Sequence, residues 1–158
     1  MSTATLRQSY PPPSQYVPVI RVHELLSEKG DKACSIDPSA TVYDAVELMA
    51  DERVGALLVM VDGVLKGIVS ERDYARKVIL DGRASSETLV YEIMTSYLIT
   101  ASPEMEAREC LALMTDNDIR HLPVLNSSEE VVGLLSVRDV ASAIMLQQNR
   151  LIEALEAR

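Results

Sequence analysis

Gly67-Ile68-Val69-Ser70-Glu71-Arg72-Asp73 returns as Gly133-Leu134-Leu135-Ser136-Val137-Arg138-Asp139 about 66 positions later. The stretches before the two copies also correspond. Val54-Gly55-Ala56-Leu57-Leu58-Val59 matches Ile119-Arg120-His121-Leu122-Pro123-Val124, and Ile36-Asp37-Pro38 matches Ala101-Ser102-Pro103. A repeated unit this small is a poor candidate for an independent domain, so the two copies are expected to share one core about a pseudo-twofold axis. Such an axis makes paired clefts, and paired clefts are where a ligand is sought.

Both copies carry the same order of elements. In the first, Val22-His23-Glu24-Leu25-Leu26 reads as a short helix and Cys34-Ser35-Ile36 as a brief strand. Asp37-Pro38-Ser39 is a turn, and Thr41 can cap a helix holding Val42, Ala45, Val46 and Met49 at helical spacing. The unbroken apolar run Ala56 to Val61 is the pattern of a strand buried on both faces. Asp62-Gly63 turns it into Val64–Val69, and a closing helix follows Ser70 through Tyr74, Val78 and Ile79. The second copy repeats this with a helix at Val90-Tyr91-Glu92-Ile93-Met94 and a brief strand at Leu98-Ile99-Thr100. A helix started by Pro103 then carries Ala107, Cys110, Leu111 and Met114, and Leu122–Leu125 pairs with Val131–Leu135 across Asn126-Ser127-Ser128-Glu129. The last helix is expected from Val137 past Met145, as far as Leu155. Pro11-Pro12-Pro13 and Pro18 favour extended structure in a tail, with an arm packed on a partner subunit as the alternative.

With 158 residues, 47% of them hydrophobic, the chain can build a core, and with 4% aromatics that core is aliphatic. The longest apolar runs are far too short to span a bilayer, and the beginning of the chain lacks the basic-then-apolar pattern of a signal peptide. Cytoplasmic residence and no membrane partner are therefore expected. A net charge of −9 argues against nucleic acid as a partner, because phosphate backbones need a basic face. An anionic small ligand remains open through a local cluster of Arg and Lys. Cys34 and Cys110 show no metal spacing and read as reduced apolar residues, so no metal site is expected.

Each repeated motif ends a strand with Gly and opens a helix at Ser. Unpaired N–H groups at a helix start suit a phosphate or a sugar hydroxyl. An Asp carboxylate can accept two hydrogen bonds from the adjacent hydroxyls of a ribose, a Ser hydroxyl can add a third contact, and an Arg can neutralise phosphate. The same Ser-x-x-Asp spacing equally describes a helix capping box, and duplication does not separate the two readings.

The element order, with Gly-Ile-Val-Ser-Glu-Arg-Asp-Tyr, Ile-Arg-His-Leu-Pro-Val and Gly-Leu-Leu-Ser-Val-Arg-Asp, resembles a tandem pair of CBS (cystathionine beta-synthase) domains, a Bateman module, over roughly residues 20 to 147. The resemblance implies an α/β (α+β) fold of two β-α-β-β-α repeats packed with pseudo-twofold symmetry through their sheets. The division is then a Pro-rich flexible tail (1–19), the first repeat (20–86), the second (87–147) and a C-terminal helix extension (148–158). It also implies a stand-alone regulatory module that binds an adenosine-containing ligand, AMP, ADP, ATP or NAD(H), in clefts between the repeats, and that forms a homodimer. By this carry-over Ser70 with Asp73 and Ser136 with Asp139 hold ribose hydroxyls. Ser35, Ile36, Ala56, Ile99, Thr100 and Leu122 flank the adenine. Met49, Met114 and the stretch Ile144–Leu155 fit burial in the dimer contact, and equally fit an intramolecular core.

The copies differ where the second has Arg120-His121 against Gly55-Ala56 in the first. Arg120 and His121 can reach a nucleotide phosphate near the axis, with Arg72, Arg138 and Lys77 helping, so unequal clefts are expected. For His121 the alternative is a strand-end histidine bonded to backbone, and His23 reads as a surface residue. No nucleophile–base–orienter set can be assembled, and Asp44, Glu47, Asp51 and Glu52 read as a solvated helix face, so no catalysis is expected. The competing reading is a structural adaptor with vestigial clefts. The receiver of any signal is expected to be a separate chain or the module's own assembly.

Overall fold

In the computed structural model, which describes residues 19–30 and 33–157, the repeated sequence becomes two matched halves. The proline-rich segment 1–18, read above as a tail or arm, lies outside the described residues. The chain runs α1 (Val22–Lys29), β1 (Ser35–Ile36), α2 (Val42–Glu52), β2 (Ala56–Val61), β3 (Val64–Ser70) and α3 (Glu71–Tyr74), continued by a π-helical turn, Ala75–Ile79. It goes on through α4 (Val90–Ile93), α5 (Ala107–Asp116), β4 (His121–Leu125), β5 (Val131–Ser136) and α6 (Val137–Glu156).

Strand order is β1-β2-β3 in one sheet and β4-β5 in the other. Asp62 and Gly63 join β2 to β3 with φ of 49° and 77°, the doubly left-handed geometry of a two-residue hairpin. The two ladders match in detail: Val59 faces Gly67, Val124 faces Gly133, and each ladder shifts register at the next residue. Thr41 caps α2 by accepting from the Asp44 amide at 3.1 Å.

Three local expectations are corrected. At Leu98-Ile99-Thr100 no strand forms, because the chain is shared between sheets: Thr95 bridges back onto Ile68, and Ala101 makes a single parallel bridge with Val124. Pro103 does not start α5. Ser102 to Met105 is a turn closed by the Met105 amide on the Ser102 carbonyl at 3.2 Å, and the helix begins at Ala107, whose amide is taken by Ile20 at 2.8 Å. The closing helix of the first half also contains a π turn that its counterpart in α6 lacks.

Each half has its own helix-side core, rather than the single shared core expected. One gathers Val42, Ala45, Met49, Leu57, Val59, Val69 and Val78, and the other Ala107, Cys110, Met114, Leu122, Val124, Leu135 and Val140. A smaller cluster, Ala56, Leu58 and Ile68 with Leu134, joins the two sheets. Met49 and Met114 are buried within these cores at 3% and 1% exposure, so they are unavailable to a dimer contact.

The opening helices cross over. Val22 and Leu25 of α1 belong to the core of the second half, and Val90 and Ile93 of α4 to that of the first. Backbone bonds fix both crossings in the same way. Val22 N–H donates to Met105 O at 2.9 Å and His23 to Pro103 O at 3.0 Å; Val90 donates to Ala40 O at 2.9 Å and Tyr91 to Pro38 O at 3.0 Å. The packing units are therefore not the consecutive sequence repeats.

Candidate functional site

A cleft of about 750 Å³ opens where the halves meet. From the first half it is lined by Gly55, Ile68, Ser70 and the basic face of α3 and its π turn, Arg72, Asp73, Arg76 and Lys77. The crossing segment adds Thr95, Tyr97, Leu98 and Ile99, and the second half adds Arg120, His121, Ser136 and Arg138. The cleft therefore mixes apolar residues, Ile68, Leu98 and Ile99, with cations from both halves and with the carboxylates of Glu71, Asp73 and Asp118. Five of its side chains are Arg or Lys, in a chain of net charge −9.

At Ser70 the capping geometry is present. Ser70 N–H and Oγ–H both donate to Asp73 Oδ2 at 3.0 Å, and the Asp73 amide donates to Ser70 Oγ at 3.2 Å. The other carboxylate oxygen, Oδ1, faces Lys77 Nζ at 2.9 Å. Cap and ligand grip are compatible, because a carboxylate offers about four lone-pair directions. A ribose hydroxyl at Oδ1 competes with Lys77, whose side chain is 43% exposed against 13% for Asp73 and which also donates to Ile93 O at 2.8 Å.

Two of the cleft's cations are already engaged: Lys77 with Asp73, and Arg72 with the carbonyl of Asp118 at 3.2 Å and its carboxylate at 3.7 Å. Arg76, Arg120 and Arg138 remain for an incoming anion. His121 stands among them. Burial first, then the charges of Lys29, Arg120 and Arg72, lower its pKa from 6.5 to about 4, against an opposing pull from Asp139. It is thus neutral at pH 7 and offers a hydrogen bond rather than a charge.

The second motif is differently placed. Ser136 caps α6 by accepting from the Asp139 amide at 3.1 Å, and Asp139 Oδ2 takes the Ser136 amide at 2.9 Å. That same oxygen is held by Lys29 Nζ at 2.6 Å. Burial would raise the Asp139 carboxyl, but the bonds from Lys29 and Ser136 outweigh it and hold it below the usual range. Asp139 does not line the open cleft.

This geometry meets a family match over most of the chain: the CBS domain profile fits residues 18–80 and 90–146. The chain belongs to the CBS domain family. It is 40% identical over 147 residues to CBSX3, a mitochondrial CBS domain-containing protein of Arabidopsis thaliana, covering 86% of this chain and 70% of that one. Its structure is similar to that of a CBS-domain protein from Burkholderia ambifaria, with TM-score 0.78 and 40% identity, covering 82% and 96% of the two chains. It shares its fold at 21% identity and TM-score 0.71 with the CBS domain pair of protein MJ0100, solved with 5′-methylthioadenosine and S-adenosyl-L-methionine, over 80% of this chain and 96% of that one.

Within this CBS pair, Ser70, Asp73, Arg72, Lys77, Ile99, Arg120, His121, Ser136 and Arg138 come together in one cleft. Ser35, Ile36, Ala56, Thr100 and Leu122 do not line it: Ala56 is in the inter-sheet cluster and Leu122 in the second core. Arg76 was missed, although it follows Arg72 by four residues, the spacing of one helix face. Tyr97 was missed as well, and no local signal announces it, since only the crossing of the chain brings it to the rim. His23 is exposed, as are Asp44, Glu47, Asp51 and Glu52. Among the described residues no three His, Cys, Asp or Glu gather as metal ligands, and no helix is long and apolar enough to cross a membrane.

Proposed function

We propose that this CBS pair is a ligand sensor that holds one of AMP, ADP, ATP or NAD(H) in the open cleft and reports it through a change of shape or assembly. The observation that carries this reading is the convergence of Arg72, Arg76, Lys77, Arg120 and Arg138 on a cavity that also contains the Ser70–Asp73 pair. Asp73 accepts the ribose hydroxyls, with Lys77 released from it toward phosphate. Ile68, Leu98 and Ile99 supply the apolar wall for the base. Arg120, Arg138 and His121 receive the phosphates, and His121 gains its proton as they arrive. The adenosine compounds bound by the MJ0100 pair support adenosine as the recognised part.

For assembly, a homodimer is the reading favoured by exposed apolar residues at matching positions. Ile79 and Leu80 end the closing helix of the first half, Met145 and Leu146 hold the same places in α6, and all four are exposed.

The test is calorimetry with AMP, ADP, ATP, NAD(H), S-adenosylmethionine and adenosine on wild type, Asp73→Asn and Arg120→Ala. A hydrogen bond to a charged group contributes about 1.5–3 kcal/mol, so Asp73→Asn is expected to weaken every adenosine compound at least about tenfold. Arg120→Ala weakens the phosphorylated ones and leaves adenosine unchanged. Failure of all six compounds to bind wild type would refute the sensor and favour the adaptor.

A further inference from the structure

The two clefts promised by the repeat differ by one helical turn. α1 and α4 begin alike, Val22-His23-Glu24-Leu25-Leu26 against Val90-Tyr91-Glu92-Ile93-Met94. α4 stops at Ile93, Thr95 pairs with Ile68, and the chain passes the cleft mouth with Tyr97 at 90% exposure. α1 continues through Ser27, Glu28 and Lys29 until Gly30, at φ 82° and bonded to Leu26 O at 3.2 Å, ends it. Aligned from the start of each helix, Lys29 stands where Tyr97 stands in the other half.

The extra turn fills the space. Lys29 Nζ lies 2.6 Å from Asp139 Oδ2 and donates to Leu134 O at 2.9 Å. Leu26 packs so closely on Gly133 that a Cβ there would lie 2.5 Å from Leu26 Cδ2. A pocket between α1 and β5, bounded by Leu26, Lys29, Gly30, Ala33, Val132, Gly133 and Leu134, holds about 10 Å³, room for at most about one water. It lies beside Lys29, whereas Ser136 lines the open cleft. Ala33 and Leu134 are the counterparts of Leu98 and Ile68, which wall the open cleft. Lys77 makes a comparable pair with Asp73 at 2.9 Å and likewise donates to a carbonyl, Ile93 O of α4 at 2.8 Å. It does so, however, from four residues along the same helix and leaves the cavity in front of it open.

We propose that Lys29 is the built-in occupant of the second cleft, so that this chain takes one adenosine ligand, and Asp139 fastens α1 instead of gripping a ribose. A lysine ammonium suits this role because its donors satisfy both the carboxylate and the strand carbonyl. The stoichiometry rests on the sensor reading, whereas the Lys29–Asp139 fastening does not.

Two measurements test it. Thermal unfolding of ligand-free wild type, Lys29→Met, Asp139→Asn and the double variant forms a cycle. Each single change is expected to lower Tm by a few degrees, and the double by no more than the larger single; additive losses overturn the fastening. Calorimetry with ADP is expected to give one equivalent for wild type and Asp139→Asn at similar affinity, and binding at least about tenfold weaker for Asp73→Asn. Two equivalents, or binding lost in Asp139→Asn but kept in Asp73→Asn, overturns the single-site assignment. If no adenosine compound binds wild type, the sensor reading falls while the unfolding cycle still decides the role of Lys29.

Discussion

Replacing Gly67 with Ala tests why each repeated motif begins with glycine. Gly67 has no positive φ, so alanine is free to adopt its backbone conformation, and less freedom in the unfolded chain would favour the variant by about 0.4–1 kcal/mol. Packing reverses the sign. A Cβ at Gly67 lies 2.8 Å from the backbone oxygen of Thr95, 2.9 Å from Met94 Sδ and 3.2 Å from Met94 Cγ. Met94 can rotate, but Thr95 is tied to Ile68 by two backbone bonds of 2.8 and 3.0 Å. Accommodating the methyl group pushes that segment off the sheet edge. Overpacking costs about 1–3 kcal/mol, and two strained or lost hydrogen bonds cost about 1 kcal/mol each. The net expectation is a loss of about 2–4.5 kcal/mol, read as a fall in Tm of roughly 4–18 °C for a domain of this size. Gly55→Ala is the control. Its Cβ meets Glu71 Oε2 at 3.7 Å and His121 Cε1 at 3.9 Å, ordinary contacts, so stability stays within about 0.5 kcal/mol. Paired thermal and urea unfolding measure both variants. A Gly67→Ala protein as stable as wild type, or an equal loss in Gly55→Ala, would refute the crossing-segment explanation of the motif glycine.

Further outcomes follow from charge and exposure. His121 titrates near 4 in the fold against 6.5 unfolded, so nothing is lost above pH 6.5. As pH falls from there toward 4, the unfolded chain takes up a proton that the folded one refuses, and stability drops by up to about 3 kcal/mol. His121→Gln flattens that window in pH-dependent denaturation; an unchanged slope contradicts the burial of a neutral imidazole. The Asp139 carboxyl is depressed, so its stabilisation is complete above about pH 4 and disappears as pH falls through its lowered folded value. Asp139→Asn removes that more acidic segment of the profile and leaves the histidine window in place. On the proposed homodimer, Leu80→Glu combined with Met145→Glu is expected to lower the sedimentation-velocity mass from two chains to one. An unchanged mass distribution would place the contact elsewhere.

Local elements were readable where the signal is local. The Ala56–Val61 run with Asp62-Gly63 behind it fixed β2 and its hairpin, and Thr41 marked the start of α2, because strand burial, turn geometry and capping each depend on neighbours in sequence. Both readings of Ser-x-x-Asp were legible too, and at Ser70 the capping geometry forms with one carboxylate oxygen while the other faces Lys77, an arrangement compatible with the proposed ligand grip. Helix ends that depend on distant groups were not legible. α5 starts at Ala107 because Ile20, from the opening of the chain, takes its amide, and no window around Pro103 contains that information. Met49 and Met114 could not be assigned to core or surface by periodicity alone, since an apolar helix face does not state what covers it.

By itself the sequence determined the duplication, the element order and the chemistry available at Ser70-Glu71-Arg72-Asp73 and Ser136-Val137-Arg138-Asp139. It also flagged an asymmetry, at Arg120-His121, and both residues line the open cleft. Only the tertiary structure decided that α1 and α4 exchange places between the halves. That exchange sets Lys29 on Asp139, 110 residues away along the chain, and leaves Asp73 beside an open cavity. The physical reason is that a repeat specifies contacts within each copy, whereas the crossing puts residues from opposite ends of the chain into one cleft. One additional turn of helix then separates a filled site from an open one.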